Sequence, residues 1–203
     1  KQCNFEKAKE IHQQAVDLLK TFKCEETAEC AKALNSLGID ILKLHEYDES
    51  FKIINEAFEI RKKLFETKDH EDLSESLYSL GLNFFLKGDY NKTLEYFLKA
   101  YEMRKRIYKN FAHPDVAQSL NAIGVNYSLL GNHKTAFEYN LRAYEMRKKI
   151  YENYDHPDLA QSLNDIGSDY FSLDDFKMSL EYYLNAHEMR IRLYKDSDHP
   201  DLA

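Results

Sequence analysis

Histidine is the side chain whose spacing in this sequence most suggests chemistry, because it recurs at a fixed interval. Histidines stand 43 residues apart at His70, His113, His156 and His199. Histidine is a frequent ligand of zinc and titrates near neutral pH. A metal site needs ligands that converge on one point, however, and this interval spreads the four side chains along the chain. We therefore predict no metal site and no cofactor.

Asparagine recurs at the same interval and offers a different chemistry, the binding of a peptide main chain. Asn35, Asn121 and Asn164 share one position of the 43-residue period. A carboxamide can donate to a carbonyl group and accept from an N–H group, so a row of amides could hold an extended peptide. The alternative is that they bond to the backbone of a neighbouring repeat. Tyr78 takes this position once and could form an aromatic pocket instead.

Arginine forms a third series with this period, at Arg61, Arg104, Arg147 and Arg190. These residues fall in the C-terminal half of a predicted helix, where a cation interacts favourably with the helix dipole, and we interpret them in that way. If they point inward, they would form a basic stripe for acidic peptides. The sequence shows no glycine-rich phosphate loop and no supported catalytic pair, so we predict no catalytic residue and a protein that is not an enzyme.

Charge and composition narrow the classes of partner. The 203 residues carry a net charge of −7 with lysine and glutamate interspersed, which leaves no basic stripe for nucleic acid. No apolar run approaches the ~20 residues of a membrane span, and residues 1–20 lack the apolar core of a signal peptide. The cysteines Cys3, Cys24 and Cys30 suggest reduced thiols in the cytoplasm, although a Cys24–Cys30 disulfide is an alternative.

The elements that position these side chains are long repeats, which begin at His-Pro-Asp. That tripeptide starts at His113 and His156, whose repeats are identical at 22 of 43 positions, and it returns at His199. A fixed period of this size indicates a stacked repeat fold. We predict one array over 1–203: a partial repeat at 1–26, repeats at 27–69, 70–112, 113–155 and 156–198, and the start of another at 199–203. We expect the chain to be a fragment of a longer protein.

Each repeat is predicted to form two helices. Proline at the first helical position and aspartate in the first turn favour a helix start at His-Pro-Asp, and Gly88 and Gly131 mark the ends of two first helices. The second helix of the third repeat is predicted over 134–152. Its predicted inner face consists of Ala136, Tyr139, Ala143, Met146 and Ile150. The recurring aromatic residues Tyr108, Tyr151 and Tyr194 are expected to be core residues with their hydroxyl groups at the surface.

Glycine in the middle of a helix indicates how the two helices pack. Four glycines occupy such positions, where each costs about 1 kcal/mol relative to alanine: Gly38, Gly81, Gly124 and Gly167. A cost repeated in every repeat implies a steric reason, the close approach of the second helix. We predict that Gly124 packs against Ala136 and Ala143.

These residues resemble the tetratricopeptide repeat. The third repeat carries the motif as Leu120, Ile123-Gly124, Tyr127, Gly131, Ala136 and Ala143. Leucine replaces the usual tryptophan, and the period of 43 exceeds the familiar ~34, as in the kinesin light chain and nephrocystin class. The resemblance implies an all-α fold: a right-handed superhelical solenoid of antiparallel helix hairpins with a concave groove.

In this family the first helices line the groove, and the resemblance implies that asparagines there clamp peptide ligands. The groove residues predicted from it are, repeat by repeat, Lys32, Asn35, Ile39 and Leu42; Glu75, Tyr78, Leu82 and Phe85; Gln118, Asn121, Val125 and Ser128; and Gln161, Asn164, Ser168 and Phe171. We expect a protein-interaction scaffold that binds a peptide or helix of a protein partner. The alternatives are a sensor or targeting arm of a larger enzyme, and self-assembly through exposed repeat ends.

Overall fold

The computed structural model describes residues 2–66, 68–152 and 154–194, without the side chains of residues 2 and 3. This part of the chain forms nine helices and no strand. The helices are α1 (Gln2–Thr21), α2 (Ala28–Lys43), α3 (Tyr47–Phe65), α4 (Glu71–Leu86), α5 (Tyr90–Ile107), α6 (Pro114–Leu129), α7 (His133–Tyr151), α8 (Pro157–Ser172) and α9 (Phe176–Leu193). The predicted start of a further repeat at 199–203, with His199, lies outside the described residues.

Consecutive helices pack as hairpins within two compact units. Unit 1, residues 1–107, contains the hairpins α2–α3 and α4–α5, with α1 packed on α2. Unit 2, residues 108–203, contains the hairpins α6–α7 and α8–α9, and α8 also packs on α7. The predicted all-α fold of helix hairpins is confirmed. None of the described helices has both the length and the apolar character to cross a membrane.

The histidines of the two described His-Pro-Asp junctions, His113 and His156, are helix N-caps. The Nδ1 atom of each accepts a hydrogen bond from the backbone N–H of the aspartate two residues later, at 3.2 Å for His113 and 3.1 Å for His156. This satisfies one of the backbone donors that a helix start leaves without a partner. His113 and His156 therefore bond to the backbone, each at the start of its own helix.

The tyrosine that ends the preceding helix completes the junction. The ring of Tyr151 stacks on His156 with centroids 3.6 Å apart, and its hydroxyl donates to Asp158 Oδ2 at 2.7 Å. Tyr108 makes the same stack on His113 at 3.5 Å. Burial, together with the Asp158 bond, raises the pKa of Tyr151 to about 12. The Tyr151 hydroxyl is thus bonded to a carboxylate whose side chain is still 47% exposed.

Close packing at the mid-helix glycines is confirmed: Gly124 lies against Ala136, as predicted, and also against Asn140. A Cβ atom at Gly124 would overlap the side chain of Asn140 and lie 3.1 Å from the carbonyl oxygen of Ala136. Ala136 and Ala143 are buried as predicted, but the other inner positions of α7 belong to Asn140 and Arg147. The predicted inner residues Tyr139, Met146 and Ile150 are only half-buried.

Two first helices, α4 and α6, end just before a glycine, as the sequence predicted. Gly88 and Gly131 follow α4 and α6 with φ angles of 80° and 78°, in the left-handed region that glycine enters without a steric penalty. Cys24 and Cys30 are free thiols, so the alternative of a disulfide between them is wrong.

Candidate interaction site

The arginines of the 43-residue series lie on second helices. Arg61, on α3, is fully buried, and it donates to the carbonyl oxygen of Asp72 at 2.8 Å, to Ser76 Oγ at 2.7 Å and to Glu75 Oε2 at 3.0 Å. All three acceptors belong to α4. This arginine therefore ties one hairpin to the next, a contact that the interpretation from the helix dipole does not include.

The same tie recurs in unit 2. Arg147, on α7, is buried and donates to the carbonyl oxygen of Asp158 at 3.1 Å and to Ser162 Oγ at 2.6 Å, both on α8. Arg104 is also buried, while Arg190 is half-buried and reaches Gln161 Oε1 at 3.4 Å. The three buried guanidinium groups cannot serve as an exposed stripe for acidic peptides.

In unit 1 the predicted groove residues differ in how accessible they are. Lys32 and Glu75 are exposed, and the apolar residues Ile39, Leu82 and Phe85 are half-buried. Asn35 is only 2% exposed and Leu42 is buried. Because the Asn35 amide is enclosed, it is not placed to meet a ligand at the surface.

Tyr78 takes the asparagine position in the second repeat and is held by its neighbours. Its ring stacks on Phe97 with centroids 5.0 Å apart, and the guanidinium carbon of Arg104 lies 4.9 Å from the ring centroid. A cation over an aromatic ring is attractive, and both contacts fix the ring. The half-buried tyrosine is therefore a rigid part of the unit 1 surface.

In unit 2 the amide of Asn121 is bonded within the chain. Its Nδ2 donates to Asp165 Oδ2 at 2.7 Å and to Asn140 Oδ1 at 3.1 Å, and its Oδ1 accepts from Arg147 Nη1 at 3.4 Å. Asn140 Nδ2 in turn donates to Asp169 Oδ2 at 2.7 Å. These five residues form a polar network between the α6–α7 hairpin and α8, and it already uses both ends of the Asn121 amide.

The two carboxylates of this network are perturbed by their surroundings. Burial raises the pKa of Asp169 to about 6; the hydrogen bond from Asn140 opposes the rise and the charge of Asp165 adds to it. Burial also raises the pKa of Asp165, against hydrogen bonds from Asn121 and Gln161. A carboxylate removed from water loses hydration that neutral amides replace only in part. The network therefore responds to pH closer to neutrality than ordinary carboxylates do.

Asn164 has the same repeat position as Asn121 and a different environment. It is half-buried, and within the described part of the chain its side-chain amide makes no hydrogen bond. One turn later Ser168 Oγ donates to the Asn164 carbonyl oxygen at 3.2 Å and lies 2.9 Å from the Tyr183 hydroxyl. Phe171, further along α8, is 58% exposed. The face of α8 formed by Asn164, Ser168 and Phe171, here called the α8 face, combines an open amide with an exposed ring.

The remaining predicted residues lie beside these groups. Gln118 and Gln161 are exposed, and Val125 and Ser128 are half-buried. Gln161 Nε2 donates to Asp165 Oδ1 at 2.8 Å, which extends the polar network to the surface of α8.

Sequence reasoning missed the buried polar residues, although the repeats contained a signal for them. Asn140 stands where the other repeats have Ile54, Phe97 and Tyr183, and all four face a mid-helix glycine. Asp169 belongs to a buried series in which every repeat has an acid or its amide: Asp40, Asn83, Asn126 and Asp169. A polar residue that recurs on an apolar helix face indicates an internal bond, as between Asn83 Nδ2 and the Tyr47 carbonyl oxygen at 2.8 Å.

No group of three or more histidine, cysteine, aspartate or glutamate side chains is arranged to hold a metal ion among the residues that the structure describes. The aspartates of the network accept hydrogen bonds from the amides of Asn121 and Asn140. The groups at this site offer hydrogen bonds and apolar contacts.

Comparison with known proteins identifies the repeats. Two family models described as tetratricopeptide repeat match the chain, one over residues 29–106 and 87–149 and the other over residues 159–201. No curated protein matches it. The solved structures similar to it include BtubC (BKLC) from P. vanneervenii, with a TM-score of 0.79 and 19% identity over 97% of this chain and 77% of that one.

Two further solved structures have the same fold. A Podosopora anserina protein with nearly identical TPR-like repeats, assigned to the kinesin light chains, has a TM-score of 0.75 and 14% identity over 96% of this chain and 92% of that one. A Rap protein complexed with competence and sporulation factor has a TM-score of 0.76 and 17% identity over 96% of this chain. This chain covers 51% of the Rap protein. At these identities the likeness concerns the fold, and it confirms the predicted solenoid class.

Proposed function

We propose that this chain, which belongs to the tetratricopeptide repeat family, is a scaffold that binds a peptide or helix of a partner protein along the first helices of its repeats. One observation carries the proposal. The amide of Asn164 is held at a first-helix position and makes no hydrogen bond in the described part of the chain. An amide in this state can accept from and donate to the main chain of a bound peptide.

The rest of the α8 face suits the same ligand. Phe171 is exposed and contacts Phe176 edge-on, with ring centroids 5.4 Å apart. Aromatic residues supply a large contact area with few rotatable bonds, which favours their use in recognition. We infer that Asn164 holds the ligand main chain while Phe171 receives an apolar side chain of the ligand.

Asn121 takes a different role in this proposal. Both ends of its amide are bonded to Asp165, Asn140 and Arg147, and a ligand would have to break these bonds to use it. We propose that Asn121 fixes α8 against the preceding hairpin and so positions Asn164. Gln118, Val125 and Gln161 would then meet the ligand at the edge of the network.

Unit 1 offers apolar anchoring positions of its own. Ile39, Leu82 and Phe85 are half-buried on first helices, and Lys32 is exposed on α2. Tyr78 on α4 is held by Phe97 and Arg104. Half-buried apolar side chains on a helix face are the usual anchors for an amphipathic helix. We propose that unit 1 binds apolar side chains of the partner. One solved structure of this fold, the Rap protein, holds competence and sporulation factor, which supports a binding function.

The test is affinity capture from a cell lysate on the immobilised chain, read by mass spectrometry. Asn164→Ala and Phe171→Ala should lose partners that the wild type captures, with roughly tenfold weaker binding for each lost anchor. Glu138→Ala, on the exposed side of α7, is the matched control and should capture the same partners. Circular dichroism should show equal helix content in all variants. If the two α8 variants retain every partner, the ligand does not bind at the α8 face.

Self-association is a second candidate, supported by apolar exposure on α9. Phe176, Leu180 and Leu184 are each more than half exposed, and apolar groups in such number on one helix favour a protein contact. Sedimentation velocity at increasing concentration should show dimers that Leu180→Glu abolishes. A constant monomer mass over the whole range would exclude this candidate.

We also propose a cytoplasmic location, which the free thiols Cys24 and Cys30 support. Immunofluorescence of the protein in its own cells would test it.

A further inference from the structure

The second-helix side of the third repeat carries an apolar pocket with cations at its rim. The pocket has a volume of about 370 Å³ and lies within unit 2. Leu120, Leu141 and Met146 form its apolar wall, while Lys149 on α7 and Ala112 on the loop before α6 stand at its edge. The residues that line it belong to α6, α7 and the loop before α6, whereas the α8 face lies on α8.

The second repeat has an equivalent pocket in which the cation is neutralised. That pocket, of about 610 Å³ in unit 1, is lined by Leu77, Leu98, Met103 and Arg106. Asp69, on the loop before α4, accepts from Arg106 Nε at 2.7 Å and from Nη2 at 2.8 Å. Such a two-pronged bond fixes both groups, and the Arg106 bond holds the pKa of Asp69 below its ordinary value.

The fourth repeat repeats this pair. Asp155, on the loop before α8, accepts from Arg192 Nε at 2.7 Å and from Nη2 at 3.1 Å. Asp69 and Asp155 therefore occupy one structural position, a loop carboxylate that closes over the cation at the end of a second helix. The first repeat has the equivalent pair, with Lys63 Nζ donating to Glu26 Oε1 at 2.7 Å. The contact therefore occurs in three repeats and is a regular feature of them.

In the third repeat both members of the pair are replaced. Alanine 112 takes the position of the carboxylate, and Lys149 takes that of the arginine. Lys149 is exposed, and among the described residues it makes no ion pair and no hydrogen bond. The carboxylate on the same rim, Glu145, lies 4.0 Å from Lys148, and Arg142 adds a second cation over the Tyr139 ring. In the described residues this pocket thus has a cation, Lys149, without a carboxylate partner beside its apolar wall.

We propose that this pocket docks a segment of a partner protein that carries an aspartate or glutamate next to an aliphatic side chain. The aliphatic group fills the space bounded by Leu120, Leu141 and Met146. The carboxylate takes the place that Asp69 and Asp155 hold in their own repeats and pairs with Lys149. The partner thus supplies in trans the contact that three other repeats make within the chain. A charge pair at the edge of an apolar pocket gives register and selectivity to such a contact.

The experiment uses an array of acetylated and amidated hexapeptides, each with one aspartate or glutamate at varied spacing from one leucine or isoleucine. A second array carries asparagine or glutamine in place of the acid. The wild-type chain should bind members of the first array and not their amide counterparts. Ala112→Asp, which restores the carboxylate of the other repeats, and Lys149→Ala should each weaken this binding by roughly tenfold or more.

A matched variant opens the equivalent pocket in unit 1. Asp69→Ala releases Arg106 and should add a second binding site for the same peptides, seen as a doubled stoichiometry in isothermal titration calorimetry. The proposal is overturned if the acidic and amide arrays bind equally or not at all. It is also overturned if Ala112→Asp, folded by circular dichroism, binds the selected peptides with wild-type affinity. Neither result bears on the α8 face, which these substitutions leave unchanged.

Discussion

Replacing Asp169 by asparagine should stabilise the protein at neutral pH. Asp169 is 1% exposed, and the hydrogen bond to its Oδ2 comes from Asn140, a neutral amide. An asparagine can keep this bond through its own Oδ1. Two other repeats already have asparagine at this buried position, Asn83 and Asn126, so the amide fits the site. The substitution therefore removes a buried charge and changes little else.

The pKa gives the size of the effect. Burial and the Asp165 charge raise the pKa of Asp169 from 3.8 to about 6, and a difference of one in pKa corresponds to about 1.4 kcal/mol. The charged form therefore costs the folded state up to about 3 kcal/mol above pH 6. Because the folded pKa exceeds the unfolded one, the wild type gains stability as the pH falls through 6 towards 4. Asp169→Asn lacks this gain, so its advantage should be largest near pH 7.5 and vanish near pH 4.

Urea unfolding followed by circular dichroism at pH 7.5, 6 and 4.5 measures this difference. Glu181→Gln removes an exposed carboxylate of α9 and should change stability by less than about 0.5 kcal/mol at every pH. The reasoning is refuted if Asp169→Asn is no more stable than the wild type at pH 7.5. It is equally refuted if an advantage exists but stays constant between pH 7.5 and 4.5.

Two further predictions concern the packing of the hairpins. Arg61→Ala removes three hydrogen bonds of a fully buried cation and should lower the free energy of unfolding in urea by about 3–5 kcal/mol. Arg190→Ala, at the same repeat position but half-buried, should lower it by less than about 1 kcal/mol. Equal losses would contradict the role of the buried arginines. Gly124→Leu would push its side chain into Asn140 and should lower stability by about 1–3 kcal/mol. Glu138→Leu, on the exposed side of α7, should leave stability unchanged. An unchanged melting temperature for Gly124→Leu would contradict the close packing.

The sequence predicted the features that each repeat makes from its own residues. The start of α6 at His-Pro-Asp and its end before Gly131 depend on backbone angles and capping groups within a few residues. The close approach at Gly124 was predicted because a mid-helix glycine has a cost that recurs in every repeat. Helix starts and ends depend on neighbouring residues, and the mid-helix glycine recurs in four repeats. Both kinds of signal can be recognised in a single sequence.

The buried arginines could not be predicted in this way. The dipole argument considers only the helix that carries Arg61, but the atoms that hold it, the Asp72 carbonyl oxygen and Ser76 Oγ, belong to the next hairpin. Their approach depends on how two hairpins pack, which the helix dipole does not determine. The same reason explains why the inner face of α7 contains Arg147 where the pattern of apolar residues favoured Met146.

The repeated asparagine shows most clearly why one position can have different roles. Asn121 meets Asp165, which follows it by 44 residues, and their hydrogen bond measures 2.7 Å. The residue that follows Asn35 by the same interval is Ser79, and the Asn35 amide oxygen, although buried, has no hydrogen-bond partner in the described part of the chain. Asn121 therefore belongs to a charged network and Asn35 does not, because the next first helix carries Asp165 in one case and Ser79 in the other. The repeat position shared by Asn35 and Asn121 determines where the amide lies. The neighbouring residue, Asp165 or Ser79, determines which hydrogen bonds the amide can make. By the same logic Ala112, which departs from Asp69 and Asp155, marks a place where the third repeat has exchanged an internal contact for an open one.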